Sequence, residues 1–236
     1  MDNSSPCQKA RPAVAGGATA QAILFDETIA AHYESWFETP EGQRADRLEK
    51  RILERMLRLL GPPGSLLEVG CGTGHFGRWL AQEGWQVVGL DRSAAMLARA
   101  SGLARVLGDA LALPFGPASF DVVALITVLE FLPDAQTALA EAWRVARRGL
   151  LLGVLNRLSP IAWERRLQGR RRPNVYNAAR FYGPWQLARL VQASVGRPLA
   201  IHWRTTLWPR WLPLEGVLPG GAFIALSARR ITTIEV

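Results

Sequence analysis

Between residues 65 and 155, short apolar runs alternate with segments in which apolar residues recur at helical spacing. The apolar runs span 65–69, 86–90, 104–107, 121–127 and 150–155, and the helical spacing occurs at 75–83, 93–100 and 134–146. Nearly continuous apolar strands separated by helices are typical of a parallel sheet that is covered on both faces. The pattern therefore predicts an α/β, doubly wound, mostly parallel sheet with its binding crevice at the carboxyl ends of the strands.

The flanking segments predict further elements around this sheet. Residues 14–33 end in a helical stretch, and residues 43–60 form an amphipathic helix that stops at the turn 61–64. Downstream, 184–193 predicts a helix, and 199–204 and 222–227 predict an antiparallel pair of strands that completes the sheet.

Composition narrows the possible classes of protein. The chain has 236 residues, enough for one large domain, and its first 20 residues are rich in Ala, Gly, Ser and Pro and are predicted to be disordered. Its apolar runs are too short to cross a bilayer and no signal peptide is recognisable, so a cytoplasmic protein is expected. Two cysteines and three scattered histidines predict no metal site. The net charge of +8 accompanies no recognisable nucleic-acid module.

A glycine-rich turn follows the first predicted strand. Glu68 is the penultimate residue of the apolar run, and the residues after Val69 read Gly70-Cys71-Gly72-Thr73-Gly74. Glycines allow a sharp turn and a close approach to a ligand, and the helix that follows presents free N–H groups. The spacing of Gly72, Gly74 and Gly77 also matches G-x-G-x-x-G, a weak indication of dinucleotide binding.

Two acidic residues follow the second and third predicted strands. Asp91 stands about 20 residues beyond the glycine turn, where a carboxylate can accept hydrogen bonds from two ribose hydroxyls. Asp109, in Gly108-Asp109-Ala110-Leu111, could accept a hydrogen bond from an adenine amine. The alternatives are a helix cap for Asp91 and a surface turn for Asp109.

In this order the segments resemble the class I S-adenosylmethionine-dependent methyltransferases, and in particular the type 11 methyltransferase domains. The resemblance implies a seven-stranded Rossmann-like sheet with helices on both faces, an antiparallel last strand, and S-adenosyl-L-methionine as cofactor. It divides residues 21–236, a single domain, into N-terminal helices (21–60), a cofactor-binding half (61–155) and a substrate-side half (156–236). The cofactor contacts that it implies are Tyr33, Glu68, Gly70, Cys71, Gly72, Gly74, Asp91, Arg92, Asp109, Ala110, Leu111, Ile126 and Thr127.

The methyl acceptor is less defined by the sequence. Many relatives carry His where this chain has Phe131, so one candidate polar group near the acceptor is missing. A small-molecule or lipidic acceptor is expected by analogy with the family, and the acceptor atom and the oligomeric state stay open. If a general base is used, the candidates are His32, Tyr33, Asn156 and Tyr176.

Two alternatives compete with this interpretation, and one charged segment is unexplained. An NAD(P)-dependent oxidoreductase shares the glycine turn and Asp91, but the common Tyr/Lys dyad is excluded because no lysine follows Lys50. A non-catalytic S-adenosylmethionine-binding protein would keep the same residues.

Residues 144–173 carry nine arginines against one glutamate, which suggests contact with an acidic acceptor or an anionic membrane.

Overall fold

The fold is built on one seven-stranded sheet, seen in a computed structural model that describes residues 25, 27–159, 179–208, 216 and 218–231. The strand order is β3-β2-β1-β4-β5-β7-β6, and β7 runs antiparallel to both of its neighbours, β5 and β6. This arrangement confirms the predicted fold, including the antiparallel last strand. The strands are β1 Ser65–Val69, β2 Gln86–Asp91, β3 Ala104–Leu107, β4 Phe120–Ile126, β5 Ala146–Leu155, β6 Leu199–Thr206 and β7 Phe223–Arg230.

Helices lie on both faces of the sheet and over its carboxyl edge. They are α1 Glu27–His32, α2 Ser35–Glu38, α3 Pro40–Arg58, α4 His75–Gln82, α5 Ala94–Arg99, α6 Ala135–Val145 and α7 Pro184–Val195, with a 3₁₀ turn at Leu129–Phe131. The predicted start of α3 at residue 43 was three residues late. Thr39 is its N-cap and accepts a hydrogen bond from the Gly42 N–H, while Pro40 occupies the first turn, where its missing N–H costs nothing.

Alternation along β4 divides the core into two layers. Val122 and Ala124 pack with α3 and α4 on one face, whereas Val123 and Leu125 pack with α6 and α7 on the other. All seven residues of β4 are buried. A strand covered on both faces holds its carboxyl end in a fixed position, and that end leads into Thr127 and the 3₁₀ turn.

Arginines of the segment 144–173 form ion pairs at the amino-terminal end of the sheet, opposite the crevice. Asp121 accepts hydrogen bonds from the N–H and hydroxyl of Ser65, and it pairs with Arg147 at 3.1 Å and Arg148 at 3.4 Å. Arg144 pairs with Glu141. Residues 144–148 therefore lie at the end of the sheet opposite the crevice, because β5 begins at residue 146 and reaches the crevice only at residue 155. The arginines between 165 and 172 lie outside the described residues.

Across the described residues, no helix combines the length and the apolar character that a membrane span requires.

Candidate functional site

The turn between β1 and α4 depends on three glycines with positive φ. Gly70, Gly72 and Gly74 have φ values of +72°, +55° and +79°. At Gly70 a Cβ atom would lie 2.3 Å from Cγ2 of Val128, closer than any stable contact. The turn is therefore pressed against the loop after β4, and this approach requires glycine.

Asp91 at the end of β2 connects this turn to the next helix. Its Oδ2 accepts a hydrogen bond of 2.8 Å from the Gly72 N–H, and its Oδ1 accepts one of 2.8 Å from the Ser93 N–H. Burial raises the pKa of Asp91, and the amides of Ser93 and Gly72 oppose that rise. The N-cap of α5 is Ser93, which accepts from the Met96 N–H, so the helix-cap alternative for Asp91 was wrong.

Glu68 lies in β1 beneath the turn and is 2% exposed. Burial and the nearby charge of Asp91 raise its pKa to about 8, while the Gly77 amide and Arg78 act in the opposite direction. Its Oε2 makes no hydrogen bond of ordinary geometry within the described part of the chain. A buried carboxyl oxygen without a partner is costly, and it is the kind of group that a bound ligand satisfies.

A cavity opens at the carboxyl ends of β1, β2, β3 and β4 and encloses about 690 Å³, part of it open to solvent. We call it the first cavity. It is lined by Phe25, Tyr33, Gly70, Gly72, Leu90, Asp91, Arg92, Ser93, Met96, Gly108, Asp109, Ala110, Thr127, Val128, Phe131 and Leu132.

Eight of the predicted cofactor contacts line the first cavity, and the other five are not among its lining residues. Glu68 lies beneath the turn, Gly74 caps α4, and Leu111 and Ile126 pack into the two core layers. Burial raises the pKa of the Cys71 thiol above its usual range. The eight lining residues are Tyr33, Gly70, Gly72, Asp91, Arg92, Asp109, Ala110 and Thr127.

Several lining residues were missed by the sequence analysis. Ser93 had a usable signal, since a serine two residues after Asp91 and before a helical pattern is a typical N-cap. Phe25 had none: its carbonyl accepts a 2.5 Å hydrogen bond from the Ser93 hydroxyl, 68 residues away in the sequence. Met96 and Val128 likewise reach the cavity only through tertiary packing.

A second cavity, of about 980 Å³ and also partly open to solvent, adjoins the first. Four residues line both cavities, and we call them the shared wall: Phe25, Tyr33, Thr127 and Phe131. The remaining lining residues are Ile29, Trp36, Phe37, Ala45, Glu49, Phe76, Leu155, Leu207 and Ala222.

Unusual backbone conformations also mark the second cavity. Among the described residues, only Ala118, Thr127 and Leu207 have positive φ without being glycine. Thr127, at φ +53°, and Leu207, at φ +62°, both line this cavity. A β-branched residue rarely adopts such a conformation, and strained positions cluster at functional sites.

The four catalytic candidates separate in space. Tyr33 belongs to the shared wall, whereas His32 is exposed on α1, with its Nδ1 3.0 Å from the Thr28 carbonyl. Asn156 is fully buried, and its amide donates to the carbonyls of Pro219 and Gly221 while its Oδ1 accepts from the Leu158 N–H. Asn156 is thus used in holding two loops together. Tyr176 lies outside the described residues.

Glu130, which precedes Phe131 of the shared wall, is a second buried carboxyl. Its Oε1 accepts a 2.6 Å hydrogen bond from the N–H of Leu155, a residue that lines the second cavity. Its backbone carbonyl accepts a hydrogen bond from the Arg180 N–H. Burial raises the pKa of Glu130 to about 7, and the amides of Leu155 and of Glu130 itself oppose this. Glu130 therefore fastens the loop after β4 to the end of β5.

No group of three or more His, Cys, Asp or Glu side chains suited to a metal ion occurs within the described ranges.

Comparison with known proteins identifies the family. Residues 67–152 match the family described as "Methyltransferase domain". A malonyl-[acyl-carrier protein] O-methyltransferase of Serratia marcescens is 31% identical over 189 residues, which cover 75% of this chain and 71% of the relative. The relative and this chain therefore share most of their length.

Solved structures show the same architecture. A methyltransferase of Thermotoga maritima, described as a possible histamine N-methyltransferase, is 25% identical, covers 87% of this chain and 98% of its own, and has a TM-score of 0.70. The magnesium protoporphyrin IX methyltransferase of Synechocystis, solved with bound S-adenosylhomocysteine, is 16% identical and matches over 87% of this chain and 96% of its own, with a TM-score of 0.64. The second likeness shows the fold alone.

These findings decide between the alternatives that the sequence left open. They support neither an NAD(P)-dependent oxidoreductase nor a non-catalytic binding protein. The cofactor of the family is S-adenosyl-L-methionine, and the fold and the crevice at its carboxyl edge agree with that assignment. The chain belongs to the S-adenosylmethionine-dependent methyltransferases of the methyltransferase-domain family.

Proposed function

We propose that this enzyme binds S-adenosylmethionine in the first cavity and methylates a small-molecule or lipidic acceptor held in the second. The observation that carries the proposal is the shared wall, because a methyl group can pass directly only between neighbouring sites. The relative from Serratia marcescens is named for a carrier-bound acyl acceptor, which agrees with this class of acceptor.

The residues of the first cavity fit the proposed cofactor chemically. Each oxygen of Asp91 accepts one backbone N–H and keeps a lone pair for a ribose hydroxyl. Asp109 accepts the Leu111 N–H through Oδ1, which leaves Oδ2 for an exocyclic amine. The unsatisfied Oε2 of Glu68 suits an ammonium group close to the glycine turn. We propose the thirteen residues implied by the family resemblance as contacts or supports of this site.

The protein's contribution to the reaction is orientation and exclusion of water. When bound, S-adenosylmethionine supplies a methyl group on a positively charged sulfur, which keeps the electron pair of the broken carbon–sulfur bond. Aromatic side chains of the shared wall surround the boundary between the cavities and limit the access of water to it. Of the four catalytic candidates we retain Tyr33, which lines both cavities.

The origin of the lining residues refines the expected division of the chain. Within the described residues, the second cavity takes Leu207 and Ala222 from 156–236, whereas Phe25 to Glu49 supply seven of its thirteen lining residues. We propose that the N-terminal helices, together with that last segment, select the acceptor. Contact with an anionic membrane stays a prediction, supported by the exposed Trp185 and Leu158 beside Arg157.

Ligand binding and methyl transfer, each measured on the wild type and on Trp36→Leu, test the proposal. In calorimetry the wild type should bind S-adenosylhomocysteine and not NAD⁺, and labelled S-adenosylmethionine should methylate a low-molecular-weight or lipid fraction of a cell extract. Trp36→Leu changes a residue that lines only the second cavity, so it should leave the affinity for S-adenosylhomocysteine within about twofold and lower transfer about tenfold or more. Label found only in RNA or protein, or binding of NAD⁺ alone, would overturn the proposal.

A further inference from the structure

The turn that carries Tyr33 is held by an arginine of α4. Tyr33 and Glu34 form the two-residue turn between α1 and α2. Nη2 of Arg78, in the first turn of α4, donates a 2.7 Å hydrogen bond to Oε1 of Glu34. Nη1 of the same guanidinium donates a 2.7 Å hydrogen bond to the backbone carbonyl of Thr73, within the glycine turn. Arg78 therefore joins the glycine turn to the residue that follows Tyr33.

This ion pair orients the turn more than it stabilises the fold. Its two side chains are partly exposed, Arg78 at 32% and Glu34 at 44%, and an ion pair with such access to water contributes little to the free energy of unfolding. Partial burial raises the pKa of Glu34, but hydrogen bonds from Thr73 and Arg78 and the charge of Arg78 lower it below its usual value. The carboxylate is therefore charged at neutral pH. Because the guanidinium is planar and rigid, it fixes the direction of both hydrogen bonds.

Other residues attach the neighbouring helices to α4. The Phe37 ring of α2 stacks on the His75 ring of α4, with 3.6 Å between the centroids and 8° between the planes. Nε2 of His75 lies 2.6 Å from Oδ1 of Asp46 in α3, and Oδ2 of Asp46 pairs with Lys50 at 2.8 Å. These contacts hold α2 and α3. Arg78 adds a contact to the turn that carries Tyr33.

The position of Tyr33 matters because this residue belongs to the shared wall. Its ring meets those of Phe25 and Phe37 edge to face, at centroid distances of 6.4 Å and 6.1 Å. Transfer between two bound molecules requires their reacting atoms to lie about 3–3.5 Å apart and in line, so a displacement of about 1 Å at their boundary has a large effect on rate.

We propose that Arg78 is a positioning residue for methyl transfer, which acts through Glu34 to keep Tyr33 at the boundary between the two cavities and in a fixed relation to the glycine turn. Arg78 lines neither cavity, so it acts through other residues and not on the reacting atoms. The inference rests on the proposed function, which places the cofactor and the acceptor on the two sides of the shared wall.

Arg78→Gln, Glu34→Gln and the double variant test the inference, each as the full chain. Binding of S-adenosylhomocysteine is measured by calorimetry, and transfer is measured as label from saturating S-adenosylmethionine in the low-molecular-weight or lipid fraction of a cell extract. Each single variant should keep its affinity within about fivefold of the wild type and lower transfer about tenfold or more. The double variant should resemble the single ones, because its second change removes a contact that is already lost.

Amide hydrogen exchange, followed by mass spectrometry in the presence of S-adenosylhomocysteine, reports on the turn without an acceptor. Peptides from residues 30–38 should exchange about threefold faster or more in Arg78→Gln and in Glu34→Gln, whereas peptides from β4 should exchange as in the wild type. A change confined to residues 30–38 would separate displacement of the turn from a general loss of stability.

Arg144→Gln is the matched control. Arg144 has a similar exposure, 34%, and likewise joins a carboxylate, that of Glu141, to backbone carbonyls, those of Leu113 and Phe115. These four residues line neither cavity. This variant should therefore keep the wild-type rate of transfer and the wild-type exchange of residues 30–38.

Two results would overturn the inference. One is wild-type exchange or wild-type transfer in Arg78→Gln. The other is a loss in Arg78→Gln that Glu34→Gln does not share, because Arg78 would then act on the glycine turn alone. In both cases the proposed function stands if the wild type binds S-adenosylhomocysteine and transfers label. A wild type that does neither would remove the proposed function and the inference together.

Discussion

The two cavities are built from different parts of the chain. Backbone and short polar side chains at the ends of parallel strands form much of the first cavity, as the glycine turn and Asp91 illustrate. The second is formed mostly by bulky side chains from helices, as Trp36 and Phe76 illustrate. The first is thus constrained by backbone geometry and the second by packing, so substitutions should affect the two to different degrees.

The largest effect is expected at the glycine turn. Gly70→Ala adds a Cβ atom 2.3 Å from Val128 Cγ2 at a residue with φ +72°. Left-handed strain of about 1–2 kcal/mol and overpacking of about 1–3 kcal/mol should together lower the free energy of unfolding by about 2–5 kcal/mol. Urea unfolding measures this loss, and calorimetry should show weaker binding of S-adenosylhomocysteine.

Gly102 provides the matched control for that substitution. It has φ +77°, but a Cβ atom there would meet nothing within 4 Å. Gly102→Ala should therefore cost only the strain of about 1–2 kcal/mol and leave cofactor affinity unchanged. Equal losses in the two variants would show that the close approach of Gly70 to Val128 has no energetic importance.

The next effect concerns the carboxylate of the first cavity. Asp91→Ala removes a proposed acceptor of two ribose hydroxyls, and charge-assisted hydrogen bonds contribute about 1.5–3 kcal/mol each before losses to solvent. A net loss of about 2–4 kcal/mol should weaken S-adenosylhomocysteine binding by roughly 30- to 1,000-fold.

Asp134→Ala separates ligand binding from loss of backbone hydrogen bonds. Asp134, the N-cap of α6, also accepts from two backbone N–H groups, those of Gln136 and Thr137, but it lines neither cavity. Its replacement should lower the free energy of unfolding slightly, as loss of an N-cap does, without weakening the binding of S-adenosylhomocysteine. If both aspartate variants bind the ligand like the wild type, Asp91 has only a structural role.

The smallest expected effect lies at the junction of the two cavities and depends on pH. The pKa of Glu130 is raised in the folded chain, from 4.5 to about 7, so folding favours the protonated form. Its contribution to stability is fully present below about pH 4.5 and is lost as the pH rises through about 7. Between pH 5 and 8 this loss amounts to at most about 3 kcal/mol.

Glu130→Gln isolates this contribution because the amide stays neutral and can still accept the Leu155 N–H. The free energy of unfolding of the wild type should fall more steeply from pH 5 to pH 8 than that of the variant, as measured by urea unfolding. Glu83→Gln should retain the wild-type slope. Parallel slopes for the wild type and Glu130→Gln would contradict the raised pKa.

The sequence predicted the fold and part of the first cavity because these depend on local patterns. Apolar runs located all seven strands, and Asp91 and Asp109 could be expected at the cavity because they stand at or just beyond the ends of β2 and β3. The prediction was wrong where a short-range signal had two meanings. The predicted start of α3 at residue 43 is an example, because the pair Thr39-Pro40 can interrupt a helix but here serves as its N-cap and first-turn proline.

The second cavity could not be predicted in this way. Trp36, Phe76 and Leu207 come together only through tertiary packing, and none belongs to a motif. Arg147 and Arg148 illustrate the reverse case. Their charge suggested contact with an external partner, but both side chains pair with Asp121 of the same chain. Sequence spacing locates a strand end well, but it does not reveal which distant side chains meet.

The shared wall has a thermodynamic consequence for how the two sites exchange their ligands. Phe25 and Tyr33 line both cavities. A ligand bound in one cavity that restrains these rings therefore alters the neighbouring cavity while that cavity is still empty. Linkage then requires reciprocity: the factor by which a cofactor analogue changes acceptor affinity equals the factor by which the acceptor changes analogue affinity. The rings of the shared wall thereby make the occupancy of each proposed site a regulator of the other.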